Sequence, residues 1–555
     1  MRKICANSWC KAAFEILEDD RAMAAKFDVE WDPKHCPSCR HIYRAMFAAN
    51  LILHSRKSDL SGKSLLSIFS ERKPFPVYSV DEWWSDSWDG MTYGQPVDLS
   101  RPFFPQFENL FVKVPKMATL NENSENCDYS CNTGNTKNAY YCLRAYRSED
   151  MYYSESVTGY NHDLIDCLRC QKSSECWECV QCVDCHYGVF LHRCFGTRDS
   201  AFCIDCRGCD NCLFCSNLRN TSYHVDNRPV SKEEFTKIKA TVLDGRQSTL
   251  LQNLERMNNV HKRTIWPNVL QVNCEDCRGD QLLNCKACVE CYDCCNCFQN
   301  RQCWDLSPSK ECVSWMEVTR GGIGELVFNS GSIGGGNYFI RMCAKCRLSS
   351  NLTYCIDCYS CKDCFGCTGL RNKQFCILNT QYTKEEYEKT VRDVITHMKK
   401  TAEWGQFFPV DCSPFAFNES SAMTYLTLSK EEVLSRGWRW EDQPELSQDG
   451  EEHRSTLPDS IDEVTDDITT KILFCEQTGR KFKIIPQELH YYRLFHCPLP
   501  RHHPDVRMRR RRDMLNPYRL WKRKCAKCAA NIETSFAPDR PEIVYCERCY
   551  LETVY

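Results

Sequence analysis

Residues 167–215 read CLRCQKSSECWECVQCVDCHYGVFLHRCFGTRDSAFCIDCRGCDNCLFC, and twelve of them are cysteines standing in a single phase of three. They are Cys167, Cys170, Cys176, Cys179, Cys182, Cys185, Cys194, Cys203, Cys206, Cys209, Cys212 and Cys215. Six of them, Cys167, Cys176, Cys185, Cys194, Cys203 and Cys212, are also spaced by nine. The pattern returns in Cys285, Cys294, Cys303 and Cys312. It returns again in Cys343, Cys346, Cys355, Cys358, Cys361, Cys364, Cys367 and Cys376. A period of three is neither that of a strand nor that of an α-helix. It suits a solenoid of very short strands and corners, of which nonapeptide solenoids are one type, or a chain with three residues per turn. Asp205, Gly208, Asp210 and Asn211 suit tight corners between the cysteines.

The phased cysteines admit several chemistries. They can pack as rows of small apolar residues inside a solenoid. Subsets of neighbouring thiolates can hold further zinc ions. Runs such as Cys203-x2-Cys206-x2-Cys209-x2-Cys212 can hold iron–sulfur clusters, though the longer last gap and following proline of the bacterial ferredoxin run are missing. Thiol–disulfide exchange is a fourth use.

The blocks carrying these cysteines read as copies. Residues 202–235, FCIDCRGCDNCLFCSNLRNTSYHVDNRPVSKEEF, align without a gap on 354–387, YCIDCYSCKDCFGCTGLRNKQFCILNTQYTKEEY. Each copy ends in a capping box, Ser231 with Glu234 and Thr383 with Glu386, which predicts closing helices over about 231–262 and 383–403. A third box, Ser429 with Glu432, predicts a short helix ended by Gly437. The two ends of the chain also align. CKAAFEI around Phe14 faces TGRKFKI around Phe482, and His35-Cys-Pro-Ser-Cys-Arg40 faces His502-His-Pro-Asp-Val-Arg507. Val77-Tyr78 faces Val544-Tyr545.

The terminal modules carry the clearest metal signals. Cys525-x2-Cys528 is followed after seventeen residues by Cys546-x2-Cys549, two knuckles that present four thiolates for tetrahedral zinc. The N-terminal set is Cys5, Cys10, Cys36 and Cys39, with a wider first gap. Positions of the first module that face the C-terminal four are Ser58, Ser61, Ser79 and Glu82. Those of the last module that face Cys36 and Cys39 are His503 and Val506. Each module therefore keeps one site and has lost the other, with Cys475 and His503 left as a remnant. About two structural zinc ions are expected, with more possible in the cysteine blocks.

The order of these motifs is HCPSCR, WWSDSWDGMTYG, RPFFPQFENLFVKVPK, NSENCDYSCNTGNTKNAYYC, CRGCDNCLFCSNLRN and HHPDVRMRRRR, closing on CAKC and VYCERCY. It resembles a cysteine-rich zinc-ribbon family of uncharacterised proteins from uncultivated small-genome bacteria, over nearly the whole chain. The resemblance implies architecture and zinc and no established activity. In similar proteins both sites of the first module can keep their cysteines; this chain departs at Ser58, Ser61, Ser79 and Glu82.

Composition bounds the rest. The 555 residues carry 44 cysteines and a net charge of -3, which excludes a generally basic nucleic-acid binder. Neither a signal-length apolar run at the N-terminus nor an 18-residue apolar stretch occurs, so a cytoplasmic protein with no membrane contact is expected. One dense basic run supplies candidate phosphate contacts: Arg507, Arg509, Arg510, Arg511, Arg512, Lys522, Arg523 and Lys524, beside Tyr518 and Trp521. A solvated helix face is the alternative for that run. No P-loop, nucleotide-binding glycine fingerprint or catalytic constellation is evident, and GGIGELVFNSGSIGGG (321–336) lacks the Lys-Ser/Thr of a P-loop. No small-molecule substrate is evident either.

These observations predict a mainly β chain with short helices, in which duplicated, cysteine-rich, β-solenoid-like blocks are flanked by treble-clef or zinc-ribbon modules. The expected segments are a terminal module at 1–84, an aromatic and proline-rich connection at 85–118 and a first cysteine block at 119–230. A helical segment at 231–266, a second block at 267–382 and helices at 383–440 follow. An acidic linker at 441–467, with eleven acidic residues against Arg454, leads to the last module at 468–555. The expected role is a zinc-binding, non-enzymatic scaffold for a protein partner or nucleic acid. The rival is a redox or iron–sulfur protein.

Overall fold

A computed structural model describes residues 1–127, 129–306, 312–321, 324–442 and 457–555. The fold is mixed rather than mainly β, with 25% of residues helical and 29% in strands. The shortness of the strands in the first cysteine block has a local cause. From Asp163 to Asp226, every third residue takes a positive φ between 45° and 60°. Each such residue turns the chain, and the strands that run through them, such as Ser174–Trp177 and Asp210–Leu213, are only four residues long. An L-residue in this region costs on the order of 1 kcal/mol, so these corners persist only because the hydrogen bonding around them is complete.

That bonding explains the cysteines. In the first cysteine block, successive segments pair in parallel at an offset of twelve residues: Asp210 with Ser222, Cys212 with His224 and Leu213 with Val225. The second block does the same, with Cys364 opposite Cys376. The pairing offset is therefore twelve, not the nine suggested by the sequence. Ile204 N donates to Cys215 O at 2.9 Å, and Asp205 N donates to His192 O at 3.0 Å. Two of each triplet's amides are thus spent on neighbouring segments. The inward side chain adds a second donor to carbonyls that already accept a backbone amide, as Ala201 O does from Phe214 N and Cys212 O from Ala201 N. Cys203 Sγ donates to Ala201 O at 3.4 Å and to Cys212 O, nine residues ahead, at 3.5 Å. The nine-residue spacing marks this thiol-to-carbonyl reach. Inward amides find side-chain acceptors in the preceding segment: Cys355 N donates to Cys343 Sγ at 3.2 Å and Cys212 N to Ser200 Oγ at 2.9 Å. Thr197 fills an inward position in the same way, with Oγ1 donating to Phe195 O and Cys206 O. A small side chain with one donor and one acceptor is what this geometry requires.

Outside the thiol rows, larger side chains repeat at the same offset. Phe190, Phe202 and Phe214 stack at 5.3 and 5.0 Å between ring centres.

Two compact units divide the chain, each combining one terminal segment with one central segment. The first contains Met1–Thr119 and Val269–Asp442, and therefore pairs the N-terminal module with the second cysteine block. Its module carries the hairpin Arg2–Ile4 with Ala13–Glu15, the helix Pro37–Ala45 and the hairpin His54–Lys57 with Ser64–Ser67. Arg40 and Arg44 on that helix reach Glu317, a buried, left-handed residue of the second block. Arg40 Nε lies 2.7 Å from one Glu317 oxygen, and Arg44 Nη1 lies 3.3 Å from the same oxygen. Residues 85–118 do not pack on the N-terminal module alone. Phe103 meets Tyr354 and Phe365, and a Cβ at Gly90 would come within 2.6 Å of the Gly369 carbonyl oxygen.

The second unit contains Leu120–Asn268 and Gln443–Tyr555, pairing the first block with the C-terminal module. The closing helix expected over 231–262 is two helices, Lys232–Val242 and Gln247–Arg263, parted near Gly245, whose φ is 76°. In the second block, the closing helix is the single Lys384–Lys400. The C-terminal module has the order hairpin, two helices, hairpin and helix: Leu473–Phe474 with Lys481–Phe482, Pro486–Leu494 and Pro504–Asp513, Trp521–Lys524 with Asn531–Thr534, and Glu547–Val554, as the first module has Glu18–Ala25, Pro37–Ala45 and, after its second hairpin, Val80–Trp84. Ile543–Tyr545 pairs in parallel with Ile265–Pro267. Of the acidic segment, 443–456 lies outside the described residues. From 457 onward it is not a solvated linker, because Ile461, Val464 and Ile468 are buried in the core of this unit.

Candidate metal centres

Two groups of cysteines bring their sulfur atoms together. Among the described residues, the sets with three or more ligating atoms within 4.8 Å of one another are Cys5, Cys10, Cys36 and Cys39, and Cys525, Cys528, Cys546 and Cys549. The inward thiols of the cysteine blocks form no such set among the described residues.

At the N-terminal site, the first hairpin supplies Cys5 and Cys10, and Lys11 turns the chain with a φ of 49°. Pro37 starts the following helix at its first position, placing Cys36 at the cap and Cys39 in the first turn. Cys5 and Cys39 sulfurs lie 3.7 Å apart, as do those of Cys10 and Cys36. Cys36 N donates to Cys5 Sγ at 3.4 Å. Hydrogen bonding from Cys39, helped by that from Cys10 and Cys5 and opposed by burial, holds Cys36 down at about 5. A helix N-terminus beneath the thiolates favours their negative charge.

At the C-terminal site the plan is repeated. Ala529, at a φ of 60°, turns the hairpin after Cys528, and Cys546 caps the last helix with Cys549 in its first turn. Cys546 N donates to Cys525 Sγ at 3.2 Å, and the Cys528 and Cys546 sulfurs are 3.8 Å apart. Burial would raise Cys525, but backbone amides of Cys528, Cys546 and Lys527 outweigh it and lower the thiol to about 6. Cys525 and Cys549 are buried, while Cys528 is exposed. Each set can hold one metal ion.

The positions that face these cysteines in the opposite module hold hydrogen bonds instead. Ser58 Oγ donates to the Glu82 carboxylate, Ser79 N donates to the same oxygen at 3.0 Å, and Glu82 N donates to Ser79 Oγ at 3.2 Å. Burial would raise Glu82, yet the bonds from Ser58, Ser61 and Ser79 hold it at about 2. In the last module, Cys475 is buried, and neither it nor His503 joins a three-ligand group among the described residues. His503 instead uses Nδ1 to accept from Asp505 N at 3.1 Å, capping its helix, and lies edge-on to Tyr141 and Phe482. Burial lowers this imidazole to about 4.

The basic run does not form one surface. Arg507 and Arg511 are 3% and 1% exposed and pair with Asp166. Arg507 also reaches Glu488 at 3.4 Å, while Arg510 pairs with Glu178 and Arg512 with Glu155. Arg523 donates to the Ala537 and Glu542 carbonyls at 3.3 Å each. Arg509, Arg510, Lys522 and Lys524 are the exposed members, of which Arg510 is engaged with Glu178. Charge density alone suggests a surface for this run, whereas its spacing of four, Arg507 to Arg511, matches Arg40 to Arg44 and signals an inward helix face. The acceptors, Asp166 and Glu317, carry no local signal.

No helix among the described residues is long and apolar enough to cross a membrane. No family model and no curated protein matches the chain. Among solved structures, a crystal structure described as an acetyltransferase, from Desulfovibrio desulfuricans G20, is similar at 8% identity with a TM-score of 0.12. The match covers 42% of this chain and 63% of that one, less than two thirds of its length, and at that score it carries no argument.

Proposed function

We propose that the protein is a zinc-stabilised, non-enzymatic scaffold built from two copies of one plan, each a treble-clef or zinc-ribbon module seated on a twelve-residue β-solenoid. The observation that carries the reading is the sulfur geometry at the chain's ends. Four thiolates at 2.3 Å from a tetrahedral zinc stand about 3.8 Å from one another, and the separations found are 3.7, 3.7 and 3.8 Å. A site of four thiolates leaves zinc no position for water or substrate, so the ions are structural. The inward thiols are engaged with backbone carbonyls, which favours a packed core over iron–sulfur or redox chemistry for the phased cysteines.

The solenoid sides offer long surfaces for a protein partner or nucleic acid, and Arg509, Lys522 and Lys524 are the members of the basic run left for phosphate contact. Metal analysis of anaerobically purified protein tests the reading. It requires about two zinc per chain and no visible colour. A brown, iron-containing protein overturns it in favour of the iron–sulfur alternative, and no bound zinc overturns the zinc modules.

A further inference from the structure

In the second unit, the first cysteine block ends against the helix Gln247–Arg263, and a cavity of about 470 Å³ opens there. Val225, Asp226, Arg228, Arg256, Asn259 and Arg263 line it. Three guanidinium groups therefore face one carboxylate. Asp226 pairs with Arg256 and lies 3.5 Å from Arg263, so a single acid orients two of the cations. Arg256 is held further by Phe214, whose ring centre is 3.9 Å from the guanidinium carbon, and Arg263 donates to Phe214 O at 2.6 Å. Arg228 is exposed and makes no ion pair among the described residues. The cavity thus has two positioned forks, one cation without a counter-charge and the Asn259 amide.

The first unit shows that such a gap is not required by the plan. In the gapless alignment of the two blocks, Asp226 and Arg228 face Leu378 and Thr380. There the chain itself fills the space: Gln95 N donates to Leu378 O, and Thr380 Oγ1 donates to Gln95 O, both at 3.1 Å. The counterpart positions in the second unit instead carry charge and line open volume.

We propose that this cavity binds a phosphate-bearing ligand as a phosphomonoester dianion. Two negative charges balance the excess of three arginines over Asp226. Arginine forks match the oxygens of phosphate by paired hydrogen bonds. Because Arg256 and Arg263 are already fixed by Asp226 and Phe214, less side-chain freedom is lost on binding. The volume admits a phosphate with a ring-sized substituent.

The test is titration of the full-length, zinc-loaded protein with inorganic phosphate and with phenyl phosphate, followed by calorimetry and 31P NMR at low salt. One saturable site per chain is expected, with phenyl phosphate binding at least as well as phosphate. R228A and R256A should each weaken binding roughly tenfold, and R228E should abolish it. Arg228 is exposed, so its variants should keep the wild-type melting temperature; an R509A/K522A/K524A variant should bind phosphate unchanged. Absence of saturation at about 10 mM phosphate, or equal binding by wild type and R228E, overturns the proposal. Binding of a short single-stranded RNA through these arginines that phosphate does not displace also overturns it, in favour of a nucleic-acid surface.

Discussion

Ser58 donates its hydroxyl to the carboxylate of Glu82, at the positions that align with Cys525 and Cys549 in the C-terminal metal group. The alignment holds for all four members of the set, with Ser61 opposite Cys528 and Ser79 opposite Cys546. Ser79 also caps its helix by accepting from Glu82 N, as Cys546 occupies the cap of the last helix. A hydrogen-bonded carboxylate therefore closes the first module's second knuckle pair in place of a metal and its thiolates. The fourfold variant S58C/S61C/S79C/E82C should raise bound zinc by one equivalent per chain. An unchanged metal content in a folded variant would show that the backbone there no longer holds knuckle geometry.

Asp166 links two arginines of one helix to the first cysteine block. Arg511 Nη1 lies 2.7 Å from Asp166, and both side chains are 1% exposed. Replacing a buried pair by well-packed apolar groups can be neutral, but removing one partner strands the other charge. D166A should therefore cost about 3–5 kcal/mol in chemical denaturation, whereas R548A, whose partner Glu552 is exposed as well, should cost less than about 1 kcal/mol. Comparable effects for the two variants would contradict the role assigned to Asp166.

Lys116 gives the molecule a pH dependence of defined sign. Its ammonium is 2% exposed, 3.6 Å above the Phe111 ring centre and 3.5 Å from Thr368 Oγ1. Burial lowers its pKa to about 7; Asp357 opposes the shift and Lys345 adds to it. Between that value and the unfolded value near 10.4, the unfolded chain binds the proton and the folded chain does not. Stability therefore rises with pH across this interval, and the full penalty of burying the charge is felt below pH 7. K116M should stabilise the protein by about 2–4 kcal/mol at pH 7, and the gain should shrink toward pH 10 in urea titrations. A gain independent of pH would mean that Lys116 titrates normally.

Much of the local structure was legible in the sequence. Capping residues announced the starts of the closing helices: Ser231 and Thr383 each accept from the amide three residues on. The terminal cysteines were legible because metal knuckles are short-range features of spacing. Stacking was harder to read. The nine-residue recurrence of cysteine reports the distance from a thiol to its carbonyl, while the pairing offset of twelve leaves no single-residue mark, since Leu191, Thr197 and Ser200 also take inward places. The burial of Arg507 has no mark in the sequence, because Asp166 lies 341 residues away and no local pattern connects them.

The inward cysteines can be tested for what their sulfur contributes. If Cys203 were only a small apolar filler, alanine would be the milder replacement and serine would bury an unwelcome hydroxyl. The structure favours the opposite order. Cys203 Sγ bonds to Ala201 O and Cys212 O, and Ser173 and Ser200 already occupy inward places with their hydroxyls on Gln171 O and Arg198 O. Alanine would take the second donor from two buried carbonyls that keep their backbone partners, Phe214 N on Ala201 O and Ala201 N on Cys212 O, at about 0.5–1.5 kcal/mol, besides the volume it removes. C203S keeps the donor and should cost less than C203A. Urea denaturation of both, with C206S and C206A as a second pair, supplies the comparison. Alanine proving milder at both positions would return the cysteines to the role of plain apolar packing.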